Sequence, residues 1–81
     1  MRITVRFFAL IRDRAGVSQT ELILDSGISV ASALEKIGEE FPSLLTLLPR
    51  IAFAVNQSYV DRTTLLREGD ELALIPPVSG G

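Results

Sequence analysis

The 81-residue chain contains no cysteine and no histidine. Without cysteine there can be no disulfide framework, thiol nucleophile or thiolate metal site. Without histidine, the commonest general base and metal ligand is missing as well. Long apolar runs are also lacking. None approaches the ~20 residues needed to span a bilayer, and the opening Met1-Arg2-Ile3-Thr4 lacks the apolar segment of a secretory leader. Formal net charge is only -2, so nothing favours attraction to nucleic acid or to an anionic membrane. The expected address is the cytoplasm. Any chemistry must use carboxylates, hydroxyls or the chain ends.

What is present suits one small folded domain: 47% of residues are hydrophobic and 22% charged, too apolar a mixture for disorder. Residues 2–8 alternate, with Ile3, Val5 and Phe7 on one side and Arg2, Thr4, Arg6 and Phe8 on the other, which predicts a half-buried strand. Ala9 to Ala15, closed by Gly16, reads as a helical turn or a loop. Thr20 to Leu24 predicts a second strand with Leu22 and Leu24 inward, followed by turn residues Asp25-Ser26-Gly27. Ser29 is a suitable N-cap for a helix whose apolar positions Val30, Ala33, Leu34, Ile37 and Phe41 recur at helical spacing. Pro42 ends that helix, and Ser43 to Leu48 allows one more helical turn. Three strands complete the chain: Ile51 to Val55 (core picks Ile51, Phe53 and Val55), Tyr59-Val60, and Leu72 to Ile75 with Leu72 and Leu74 inward.

The resulting order is β-β-α-β-β-β. One amphipathic helix can cover only one face of a sheet, so the fold class is α+β, a two-layer sandwich with one sheet face open. Phe8 and Ile75 fall on that open face by alternation. Two large apolar residues there suggest a docking patch, although single exposed hydrophobes are common.

The chain divides into a folded part, residues 1–75, and a tail, residues 76–81, with the sequence PPVSGG. Pro76 and Pro77 cannot join a strand ladder and favour an extended arm. Six extended residues reach roughly 20 Å, enough to enter another protein's active site. Val78 offers one apolar grip. Gly80 and Gly81 carry no Cβ and can thread a channel too narrow for side chains. The reactive group at the tip is the α-carboxylate, ionised at neutral pH. It resists nucleophiles until activated, and adenylation by ATP is the usual route. The tail alone leaves open whether a sulfur donor, an amine or a thiol captures the adenylate. Gly-Gly ends arise by chance in about one chain in two hundred. The stiff spacer and the preceding strand are what raise this one above that background.

Several segments together resemble the MoaD family of sulfur carriers, the small subunits of molybdopterin synthase, which have a ubiquitin-like β-grasp fold. They are Phe7-Phe8-Ala9 with Arg12, Ala54-Val55-Asn56-Gln57, Glu68-Gly69-Asp70-Glu71, and Pro76-Pro77-Val78-Ser79-Gly80-Gly81. The resemblance implies a mixed sheet of about five strands with one main helix on one face and an extended tail. It further implies that a ubiquitin-activating-like adenylyltransferase, using ATP and Mg²⁺, adenylates Gly81, and that a sulfur donor protein converts the adenylate to a thiocarboxylate. The arm then delivers sulfur to a pyranopterin precursor inside the large subunit of the synthase, twice per molybdopterin, in an assembly of two small and two large subunits. This chain itself would bind no cofactor and no metal. Phe8, Ile75 and Tyr59 match partner-facing positions, Ile75 where the family often has an aromatic. Arg12 matches the motif without an independent argument for its task. Alternatives are a carrier for another pathway (thiamine type), a protein modifier joined to lysines, and an interaction module with an inert terminus.

Overall fold

The structure, a computed structural model, describes residues 1–76. Its elements are β1 (Arg2–Phe7), α1 (Ala9–Ala15), β2 (Gln19–Ile23), α2 (Val30–Glu40), β3 (Ala52–Val55), β4 (Ser58–Val60) and β5 (Glu71–Ile75). Two single 3₁₀ turns, Pro42–Leu44 and Leu48–Arg50, join α2 to β3. The strands form one mixed sheet in the order β2-β1-β5-β3-β4. β1 and β5 run parallel at its centre, while the β1–β2, β3–β5 and β3–β4 pairs are antiparallel. The expected α+β sandwich is therefore present, with a short helix at Ala9–Ala15 where the sequence left helix or loop open.

α2 forms for the reasons its sequence suggests. The Ser29 hydroxyl accepts a hydrogen bond from the Ser32 N–H at 3.2 Å, a cap worth about 1 kcal/mol. Val30, Ala33, Leu34 and Ile37 then line one stripe and are all buried. They meet the inward residues of the sheet: Ile3, Val5 and Phe7 of β1, Leu22 of β2, Phe53 of β3, and Leu72 and Leu74 of β5. The Phe7 ring meets Phe41 edge-on, with centroids 5.2 Å apart. Among the described residues no buried side chain is polar or charged, and no buried polar side-chain atom lacks a partner. The core is held by apolar packing.

One expectation needs adjusting, and one core residue was not foreseen. Val55 faces the core side but is only half-buried, because it sits at the turn end of β3, where the covering layer thins. Leu66, in a segment without a strand, is almost fully buried instead. Backbone bonds tie this segment to the start of α2: Leu66 N–H donates to Ile28 C=O at 2.8 Å, and Val30 N–H to Thr64 C=O at 2.8 Å. Nearby, the Asp61 carboxylate accepts from the Thr63 hydroxyl and from the Thr63 N–H, and these bonds hold its pKa below the ordinary value, the hydroxyl contributing most.

Candidate functional site: the open sheet face and the root of the C-terminal arm

Alternation that sends Leu72 and Leu74 into the core sends Glu71, Ala73 and Ile75 to the opposite face. Register then aligns a row across four strands: Arg6 of β1 lies beside Ala73 of β5, Ala73 beside Ala54 of β3, and Ala54 beside Tyr59 of β4. One step along, Ile75 lies beside Ala52. Ala54 and Ala73 are only 4% and 7% exposed although no helix covers them. Larger neighbours overhang them. The result is a shallow depression of about 250 Å³ with an alanine floor, walled by Phe8, Tyr59 and Ile75 and bordered by Arg6 and Glu71. A second, almost wholly apolar depression of about 370 Å³ adjoins it, lined by Phe8, Ala9, Ile75 and Pro76.

Phe8 reaches this position by a route the sequence did not reveal. It is not part of the first strand, which ends at Phe7; it is the extended N-cap residue of α1, with φ -120° and ψ 149°. Its C=O accepts from the Ile11 N–H at 3.0 Å, which starts the helix. Ala9 makes the bend with φ 49°, a left-handed conformation rare for alanine. The bend leaves the Phe8 ring on the open side, with the Arg6 guanidinium 5.1 Å from its centroid. Arg6 also meets Glu71, with Nη1 3.8 Å from Oε1.

Of the residues named from the sequence, Phe8, Ile75 and Tyr59 lie on one face, and Pro76 lies beside Phe8 and Ile75. The remaining site positions, Pro77, Val78, Gly80 and Gly81, lie outside the described residues. Arg12 is exposed on α1 and lines neither depression. Sequence reading put Arg6 on the side of Phe8 but missed Glu71, Ala54 and Ala73 as parts of the face. The signal was available, since each is a small or polar residue alternating with a large core residue.

The other family-like motifs prove to be structural. Asn56 and Gln57 both have positive φ, 50° and 71°, as expected of a two-residue hairpin turn between β3 and β4. The Asn56 side chain reaches the loop before β5, donating to Asp70 Oδ1 at 2.9 Å and accepting from the Glu71 N–H at 2.9 Å. Asp70 Oδ2 accepts from the Arg67 N–H at 2.8 Å, and Glu68 Oε1 from the Arg2 N–H at 3.0 Å. These bonds fix the start of β5. A larger hollow at the β4 edge, near Phe53 and Val60, is partly occupied by Arg62, which stacks 5.1 Å from the Phe53 centroid and donates to Leu48 C=O at 3.1 Å. Among the described residues no group of three or more potential ligands could hold a metal ion, and no helix is long and apolar enough to cross a membrane.

A mixed sheet with β1 and β5 parallel at its centre, α2 across one face and an arm issuing from β5 defines the ubiquitin-like β-grasp class. The profile of the ThiS family matches residues 5–81. Over the full length of both chains, the sequence is 39% identical to the molybdopterin synthase sulfur carrier subunit of Chlamydomonas reinhardtii. It is 35% identical to that of Arabidopsis thaliana, covering all of this chain and 84% of the other. Among solved structures, SAMP1 from Haloferax volcanii superposes with a TM-score of 0.91 at 27% identity over both full chains. One from a complex of subunits 1 and 2 of the molybdopterin-converting factor of Helicobacter pylori gives 0.72 at 29%, again over both full chains. The chain belongs to the ThiS family and, within it, to the MoaD-type sulfur carriers that are small subunits of molybdopterin synthase.

Proposed function

We propose that this chain carries sulfur on the carboxyl terminus of Gly81 and, as the non-catalytic sulfur-donating subunit of molybdopterin synthase, delivers it for molybdenum cofactor biosynthesis. The observation that carries the reading is the coincidence of two features: an arm ending Gly-Gly and an apolar face at its root, formed by Phe8, Ile75, Pro76 and the alanine floor. A ubiquitin-activating-like adenylyltransferase joins the Gly81 carboxylate to AMP, using ATP and Mg²⁺ and releasing pyrophosphate. Sulfur at the oxidation level of sulfide, supplied by a donor protein, attacks the acyl carbon, and AMP leaves. The resulting thiocarboxylate enters the large subunit, where its sulfur bonds to the pyranopterin precursor and water then cleaves the acyl–sulfur bond, leaving sulfur on the precursor and restoring the carboxylate. Any protein that takes up the arm would abut the ground around Pro76, so the face serves the activating enzyme and the large subunit in turn. Two small and two large subunits make up the proposed assembly.

The likeness to SAMP1, which related solved structures name as a small archaeal modifier protein, favours a second reading, conjugation through the same activated terminus. Intact-mass measurement after co-expression with the activating enzyme separates the two. A carrier shows replacement of one oxygen by sulfur, whereas a modifier shows higher-mass protein adducts. An unchanged mass, or sulfur transfer that survives deletion of Gly81, would refute the carrier reading.

A further inference from the structure

We infer that Arg6 is a positioning residue for docking: its guanidinium, tethered by Glu71, holds the Phe8 ring in the orientation that the partner subunit covers. This rests on the docking reading above. Phe8 lies beyond the end of β1, next to a residue at positive φ, and its ring is outside the core, where Phe7 packs instead. Nothing in the sheet ladder fixes it. The Arg6 guanidinium lies 5.1 Å from the ring centroid. Arg6 is in turn held by the Glu71 carboxylate at 3.8 Å, from the strand that leads into the arm.

Arg6 and Glu71 side chains are 44% and 35% exposed. In water such a pair and such a stack contribute little to folding. When a partner covers the face, the same contacts are desolvated and strengthen. Their effect should therefore register in docking and hardly at all in the fold. A planar guanidinium can stack on a ring and hold a carboxylate at once; a lysine ammonium matches the charge but not the flat stack. The register explains why the arrangement is available: Arg6 pairs with Ala73, whose methyl group leaves room for the long side chain to lie along the face.

The test is a double-mutant cycle on the full carrier with the molybdopterin synthase large subunit, read by calorimetric Kd, by KM and kcat for the thiocarboxylated carrier, and by the carrier's own melting curve. Arg6→Ala should raise Kd and KM about fivefold with kcat and Tm nearly unchanged, and Arg6→Lys should recover part of the loss. In a Phe8→Leu background, which lacks a π face, the same Arg6→Ala change should cost less than about twofold. Equal losses in both backgrounds would overturn the inference, because Arg6 would then act on the partner directly. Wild-type affinity in Arg6→Ala, or an affinity loss matched by a lower Tm, would also overturn it. If Phe8→Leu and Phe8→Ala both bind like wild type, the docking reading itself fails instead.

Discussion

The two faces of β5 both present apolar side chains, with Glu71 added at the outer margin, and do opposite things. On the inner face Leu72 and Leu74 are fully buried under α2. On the outer face, Ala73 lies flat between Glu71 and Ile75, which stay half-exposed. Inside, large side chains interlock and their burial holds the fold together. Outside, small residues at the centre and large ones at the margin shape a hollow that a second protein can fill. Hydrophobicity alone does not separate the two; side-chain size along the strand does.

That contrast can be attacked from both sides. The largest effect should come from the inner face: Leu74→Ala removes a fully buried side chain and should lower stability by about 2–5 kcal/mol, measured by urea denaturation. A smaller loss would mean that the core relaxes around the gap. On the outer face, Phe8→Asp should weaken large-subunit binding at least about tenfold while leaving the melting curve near wild type. Parallel losses in pull-down yield and Tm would instead place Phe8 in the core. Asn56→Ala, which breaks the link from the hairpin turn to Asp70 and Glu71, should cost about 1–2 kcal/mol. Asn56→Gly, which tolerates the positive φ, should recover part of that in the same melt. The smallest change is expected for Tyr59→Ala at the exposed rim, roughly threefold in affinity with no shift in Tm. A large stability loss there would show that the rim also supports the sheet.

Much of this was legible in the sequence because periodicity and burial coincide. Ser29, Val30, Ala33, Leu34 and Ile37 mark α2 by spacing alone, and Ile3, Val5, Leu72 and Leu74 mark the inner face by alternation. Where local signals and tertiary contacts part company, legibility failed. Alternation runs through Phe8 without a break, yet the strand stops at Phe7, because Ala9 adopts a backbone conformation that alanine does not advertise. Leu66 is buried by packing against α2 and its flanking loop, with no periodic neighbours to announce it. Of the site, Phe8 and Ile75 were foreseeable on the open face from their parity, whereas Tyr59 entered only through the family resemblance. The contact between Arg6, Phe8 and Glu71 was not, since it depends on which strand lies beside β1. Pairing β1 with β5 joins residues 67 positions apart, as in Thr4 with Glu71, a partner choice made by topology rather than local sequence.

The central place of β5 also has a mechanical meaning. The strand is hydrogen-bonded along both sides, to β1 and to β3, and the C-terminal residues follow it directly in sequence. Tension applied to the tip by an enzyme gripping it would load two ladders side by side, with many bonds sharing the force at once rather than parting one after another. A carrier braced in this way would resist unravelling when pulled by its end.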